Sequence, residues 1–387
     1  MTQIMTRRNI KYNNDKINLE CEEFYENKNY ECKDFYKNYE CNEFYENKNE
    51  FQSSRASQYT TNIKKIFQGI DALPPEFCWE LLHNHVRKNN KNGVWIPIKN
   101  TPFWSGGQSE VYILYKAFLN NNNELNIEWG IAKNFNDKDN FKLENRMFNI
   151  IKKKSEENNS NIYKKYIPKK YGSIKTVING KSKNFLVMEF VDGYTLSKLI
   201  KHNNLNNKLI INIMIQLCEV IGFFHEVGIS HRDLKPQNII IVRDSKTVNN
   251  RRIYDDDSVQ IKIIDFGLSY YSKSKKNCKD SVGTINYCSP EIFLDNKNGY
   301  NSYKADLWSL GIIFYTMVCG HSPYITPLYD NDMFLNFMKQ ENYCNIEIFN
   351  IIINGLCDVN PDQRFCLKQI KELLNCNYDN IITKMKF

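Results

Sequence analysis

None of the 12 cysteines in this 387-residue chain belongs to a Cys-x-x-Cys pair. The closest two downstream, Cys357 and Cys366, have no histidine at zinc spacing, which argues against a zinc finger or ribbon. The opening stretch "MTQIMTRRNIKYNND" lacks the apolar core of a secretory leader. No uninterrupted apolar run reaches the ~18 residues of a bilayer-crossing helix. Reduced thiols in a cytoplasmic protein are therefore expected, with the nucleus as the other compartment left open. The net charge of +8 is spread over Lys- and Asn-rich loops and forms no basic block, so neither nucleic acid nor a membrane is expected as a partner.

Leu, Ile and Val are missing from residues 20–60, where an imperfect repeat stands instead: "ECEEFYENKNY", "ECKDFYKNY", "ECNEFYENKNEF". Residues 1–60 are expected to be a disordered extension, too polar to build a core. A sharper alternative makes Phe24-Tyr25, Phe35-Tyr36 and Phe44-Tyr45 anchors for a docking partner, or Cys21, Cys32 and Cys41 a metal clip. Residues 61–97 form a bridging segment in which "LPPEFCWELLHNHV" places Phe77, Leu81, Leu82 and Val86 on one face of a short helix. His83 and His85 do not share a helix face as metal ligands would.

From about residue 95 the texture is first strand-like, in "VWIPI", "EVYILYKA", "EWGIAKNF" and "NFLVMEFV". After roughly 195 it turns helical, and "KLIINIMIQLCEVIGFFHEV" and "DLWSLGIIFYTMVC" are apolar nearly all round, as buried helices are. The fold class is α+β: a small sheet-rich lobe and a larger helical lobe, an arrangement that invites a ligand cleft.

Two stretches in the second half carry the chemistry, "ISHRDLKPQNIIIV" and "IKIIDFGLS". Asn238 and Asp265 are hard oxygen donors next to neighbouring strand ends and suit Mg²⁺, which takes few protein oxygens and keeps phosphates as its other ligands. Asp233 is left to orient a hydroxyl nucleophile and accept its proton, and Lys235 to meet charge developing on a transferring phosphoryl group.

Taken together, these motifs resemble those of eukaryotic protein kinases, over a span from about Trp104 to about Cys376. The resemblance implies a bilobal kinase domain over 98–376 (small lobe about 98–190, large lobe about 191–376) and a tail at 377–387. It implies that Asp233 is the base, that Asn238 and Asp265 hold metal, and that His231 and Phe266 belong to a stacked apolar spine. Lys235 marks the serine/threonine-specific type, with Thr284 supporting that lysine and Asp233. Asp306 would brace the His231–Asp233 loop, and Glu291 would pair with Arg364.

In the small lobe the resemblance assigns Lys133 to the nucleotide phosphates and Glu144 as its ion-pair partner, with Phe148 one turn later. Val111 sets the register of "FWSGGQSEV" against the family's three-glycine loop. Gly106 is the middle glycine, Trp104 replaces the first and Ser109 the third, while Gly107 adds freedom; the reading is a modified phosphate clamp. Met188 stands at the gatekeeper position, Glu189, Phe190 and Val191 form the adenine-binding hinge, and Ala132, Val111 and Ile240 sandwich the base.

Arg232, before the base, implies switching by an anion on the segment 265–291. The usual phosphorylated position falls on Asp280, beside Ser281, and relatives' further basic partners are replaced by the neutral Asn140 and Tyr270. A built-in charge at Asp280 is the expectation. Gln237 and Thr195 stand where arginine-seeking relatives carry acids, so strong basophilic selection is not expected. ATP and Mg²⁺, with Mn²⁺ as a substitute, are the expected cofactors, and protein Ser/Thr hydroxyls the acceptors. The rival reading is a pseudokinase or scaffold that binds nucleotide and protein partners without efficient catalysis.

Overall fold

A computed structural model describes residues 95–97, 102–105, 109–119, 125–178, 181–248, 251–254, 258–272, 278–293, 299–323, 343–378 and 381. Gly106, Gly107, the repeats and the helix expected around Leu81 lie outside them. The chain divides into two units. The first holds the described residues up to Asn134 together with Ile174–Lys183, and the second holds Phe135–Ser173 and everything described from Asn184 onward.

The first unit is built on antiparallel strands. They are β1 (Trp95–Pro97), β2 (Trp104–Ser105), β3 (Ser109–Leu119) and β4 (Leu125–Phe135). Helices α1 (Lys138–Glu157) and α2 (Ile162–Tyr166) belong to the second unit. Strands β5 (Lys170–Ile178) and β6 (Lys181–Glu189) each have residues in both units, and the strand order is β1-β3-β4-β6-β5, with β2 on β3. Trp104 lies opposite Val111 and Ser105 opposite Glu110, with Trp104 52% exposed and Ser109 buried.

Helix α1 begins where Asp137 accepts from the Asn140 amide at 3.2 Å, a side-chain cap that satisfies an otherwise orphaned donor. It buries Phe141, Glu144, Met147, Phe148 and Ile151, spaced three and four apart on one face.

The rest of the second unit runs β7 (Tyr194–Thr195), α3 (Leu196–Lys201), α4 (Asn207–Glu226), β8 (Ile229–Ser230), β9 (Ile239–Val242), β10 (Ser245–Val248), β11 (Arg251–Tyr254), β12 (Gln260–Ile263), β13 (Tyr270–Tyr271), α5 (Ser302–Cys319), α6 (Glu347–Leu356) and α7 (Leu367–Cys376). Asn206 and Asn301 cap α4 and α5, and Gly320 ends α5 at φ 79°, the left-handed turn that glycine adopts most readily. Helix α5 is buried almost all round, from Ala305 to Met317, and Phe314 meets Phe349 of α6 edge-on at 5.0 Å.

By length and composition α4 passes as a bilayer-crossing helix, which counting uninterrupted apolar residues did not foresee. Asn212, Gln216 and Glu219 break the run. In the structure 11 of its residues are buried within the unit, and Gln216 binds the backbone of Val259 and Ile261 at 2.9 and 3.1 Å. Helix α4 is thus a core helix. The mixed α+β class expected from the sequence is the one observed.

Candidate active site

β9 and β12 pair antiparallel, Ile239 opposite Ile263, and Ile264 N–H donates to the Asn238 carbonyl at 3.0 Å. This register places Asn238, at the end of a 3₁₀ turn (Pro236–Asn238), beside the residue before Asp265. Asn238 Nδ2 donates to the Asp233 carbonyl at 2.8 Å and to Asp233 Oδ2 at 3.2 Å. Those bonds fix the amide's orientation and turn its Oδ1 the other way. Asp265 has φ 66°, a left-handed conformation uncommon for a residue with a side chain. Its Oδ1 accepts from Gly267 N–H at 3.3 Å, and a Cβ on Gly267 would come within 3.2 Å of that oxygen and 3.7 Å of Glu144 Oε2. A side chain there would press on the Asp265 carboxylate and meet that of Glu144 at ordinary contact distance. An amide oxygen and a carboxylate on adjoining segments fit a hard divalent cation.

Asp233 is the hub of a second group. Thr284 Oγ1 donates to Asp233 Oδ1 at 2.6 Å, Lys235 Nζ donates to Thr284 Oγ1 at 2.8 Å, and the same ammonium lies 2.8 Å from Asp233 Oδ2. Asp233, Lys235 and Asn238 are all buried. An ionised carboxylate has about four lone-pair sites, and Thr284, Lys235 and Asn238 occupy three, which leaves a place for one incoming hydroxyl. The loop itself hangs from Asp306 of α5, whose carboxylate accepts from the N–H groups of His231 and Arg232 at 2.9 Å each. His225 Nε2 lies 3.0 Å from the same carboxylate, a partner that sequence reading missed because 81 residues separate the two.

A stack of rings runs through the second unit. Phe266 meets Phe148 at 5.3 Å, His231 at 5.4 Å and Phe224 at 6.0 Å. Burial holds the His231 imidazole below its usual pKa range, because charging it there would require desolvation. Phe224 was not foreseen; it sits among the general apolar residues of α4, with nothing in its spacing to single it out.

Arg232 also has a left-handed backbone, φ 64°. Its Nη1 binds both oxygens of Asp280 at 2.9 and 2.8 Å, its Nε donates to the Leu268 carbonyl at 2.7 Å, and the guanidinium lies 5.4 Å from the Tyr270 ring centroid. Tyr300 OH donates to the Asp280 carbonyl at 3.1 Å. Ser281 is otherwise engaged, donating to the Ile292 carbonyl at 2.9 Å. Gly283, at φ 126°, precedes Thr284; a Cβ there would meet Cys288 Sγ at 2.6 Å and the Arg232 carbonyl at 2.9 Å.

Lys133 and Ala132 lie on β4 and Val111 on β3 of the first unit. Glu144, buried on α1, and Met188, Glu189, Val191 and Ile240 belong to the second. The Glu189 N–H donates to the Lys169 carbonyl at 2.8 Å.

The protein kinase domain family matches residues 130–378, well over half the chain. Among curated relatives, CBL-interacting protein kinase 8 of Oryza sativa subsp. japonica is 30% identical over 211 residues, covering 52% of this chain and 43% of that protein. CBL-interacting serine/threonine-protein kinase 18 of Arabidopsis thaliana is 30% identical over 204 residues, covering 50% and 35%. The match thus spans less than half the length of these relatives. The contiguous motifs, the Asp233–Lys235–Thr284 triangle and this match agree, and the chain belongs to the protein kinase domain family as a divergent member of the eukaryotic superfamily.

Proposed function

We propose that the domain, over about 98–376, transfers the γ-phosphoryl group of ATP to serine or threonine hydroxyls of proteins. The observation that carries this is the triangle of Asp233, Lys235 and Thr284. Asp233 accepts the acceptor's O–H as a hydrogen bond and takes its proton as the O–P bond forms; the bond to the departing ADP oxygen breaks. Lys235 meets the charge on the phosphoryl oxygens, and Thr284 holds lysine and carboxylate in one geometry. Asn238 and Asp265 would hold Mg²⁺ (or Mn²⁺), which when bound neutralises charge on the nucleotide phosphates. The resemblance gives Lys133 and Glu144 the phosphate-orienting roles, and Gly106, Gly107, Ser109 and Val111 that of the modified clamp. Met188, the 189–191 main chain, Ala132 and Ile240 line the adenine.

Regulation follows from Arg232. A guanidinium with little exposure needs a counter-charge, and Asp280 supplies one without covalent modification, so little or no activating phosphorylation of 265–291 is required. Tyr270 offers a π face in place of a second cation. Ser281, bonded to Ile292, is poorly placed to be the switch. The proposed location is the cytoplasm, with the nucleus as the alternative; residues 1–60 are read as a polar extension, and a docking element in the repeats of residues 20–51 is the alternative to that reading. The pseudokinase alternative rests on the missing loop glycines alone.

The test is Mg²⁺-dependent phosphate transfer from ATP to a mixed protein or peptide substrate by the full chain, with Asp233→Asn as control and phosphoamino-acid analysis of the product. Transfer to Ser/Thr that the control lacks supports the reading. Nucleotide binding without transfer, at any substrate tried, would replace it with the scaffold.

A further inference from the structure

Lys262 lies on β12, opposite Ile240 of β9 and three residues before Asp265. Its Nζ donates to the carbonyls of Lys164 and Ile167 at 3.1 Å each and to Glu189 Oε2 at 3.4 Å. An ammonium has three donors, and here three acceptors from two distant parts of the chain take them, so the head group's direction is fixed. The two carbonyls lie at the C-terminal end of α2, where helix oxygens lack intrahelical partners.

Glu189, the third acceptor, ends β6 and is held from its other side as well. Its Oε2 accepts from Lys169 N–H at 2.8 Å, and its own N–H donates to the Lys169 carbonyl at 2.8 Å. Each end of this bracket leads directly into a functional segment. Glu189 continues into Phe190 and Val191, and Lys262 continues through Ile263 and Ile264 to Asp265.

We propose that Lys262 is a positioning residue for the nucleotide: its ammonium sets the 189–191 main chain in place relative to the strand that presents Asp265. This rests on the phosphotransfer reading above for the identity of the nucleotide. A part-exposed ion pair at 3.4 Å adds little stability, so its consequence is geometric. Hinge contacts to a base are the same in the ground state and the transition state, so misplacing them weakens binding without slowing chemistry. A tether that merely held α2 in the fold would instead lower the amount of active protein and leave nucleotide affinity alone.

The experiment uses the full chain with Lys262→Met, Lys262→Arg, Glu189→Gln and the Met/Gln double variant. KM for ATP and kcat are measured alongside titration with a fluorescent ATP analogue and thermal melting. Lys262→Met is expected to raise KM and the analogue's Kd about tenfold while kcat falls no more than about twofold. Arginine recovers most of the loss, Glu189→Gln costs about threefold, and the double variant is no worse than Lys262→Met, as expected for two groups that share one contact. A Kd within twofold of the parent for a folded Lys262→Met overturns the proposal, as does lost activity with unchanged Kd. If that variant does not fold, Glu189→Gln decides: weaker analogue binding supports the bracket and unchanged binding overturns it. Should the parent bind the analogue yet transfer no phosphate, the phosphotransfer reading fails while the Kd series still judges Lys262.

Discussion

Arg364 and Glu291 meet through two parallel hydrogen bonds of 2.7 Å, both side chains buried. The same guanidinium donates to the carbonyls of Lys304 and Asp358 at 2.7 and 2.9 Å and lies 5.1 Å from the Trp308 ring centroid. One cation thus fastens the segment after Thr284 to α5 and to the turn before α7. Removing the acid alone strands a buried charge. Glu291→Ala is expected to lower stability by about 3–5 kcal/mol, measured by urea unfolding, whereas a Glu291→Met/Arg364→Met pair costs much less. Equal losses for the two would show that the hydrogen bonds to Lys304 and Asp358 dominate.

Thr284 holds Asp233 and Lys235 through a single oxygen. Thr284→Val keeps the shape and deletes that oxygen. A fall in kcat of roughly 10²–10³ is expected, the size seen when one preorganised donor is lost, while Thr284→Ser stays near the parent. Steady-state kinetics at saturating ATP check this; a valine variant with unimpaired kcat would remove Thr284 from the mechanism.

Asp280 answers for the charge of Arg232. Asp280→Ala is expected to lower kcat about tenfold or more, because the arginine adjoins the base and is left without its carboxylate. Phosphatase treatment of the parent, by contrast, leaves its rate unchanged. A dead enzyme after phosphatase would mean that another anion on 265–291 is needed.

Buried thiols give the protein an alkaline sensitivity. Desolvation pushes Cys218 and Cys357 up to about 12 and raises Cys288 as well. Above the ordinary thiol value of about 8.5 the unfolded chain has lost protons that the folded one retains, so stability falls as pH rises through that point and is fully present below it. Unfolding midpoints at pH 7.5 and 9.5 should differ in that direction, and Cys218→Ala with Cys357→Ala should narrow the gap. At pH 8 iodoacetamide should label the exposed Cys366 and Cys376 well before the buried Cys218 or Cys357, whose thiols burial keeps protonated.

Much of this architecture is readable from local pattern. Helices α4 and α5 announce themselves because nearly every face is apolar, and Asp233, Lys235, Asn238 and Asp265 stand in two short contiguous stretches. What escapes a single sequence is pairing over distance. His225 finds Asp306 across 81 residues, and Lys262 gathers carbonyls from α2 and a carboxylate from β6; nothing in the spacing of either residue marks its partner. The left-handed backbones of Arg232 and Asp265 are hidden for another reason. Such angles are rare for an arginine and only somewhat less so for an aspartate, so neither residue type announces them. The β10–β11 hairpin was also missed, since "SKTVNNRRIY" reads as polar connection and not as strand.

That hairpin leaves β9 after Val242 and returns to β12 at Gln260, which lie opposite each other in the ladder. The two strands presenting Asn238 and Asp265 therefore keep their register whatever length of chain joins them at the far end. Lengthening a surface connection costs only about 0.6 kcal/mol per doubling. Chain inserted between Val248 and Arg251 therefore leaves the pairing of Val242 with Gln260 in place, so an epitope, a fluorophore or a reporter domain can be carried there.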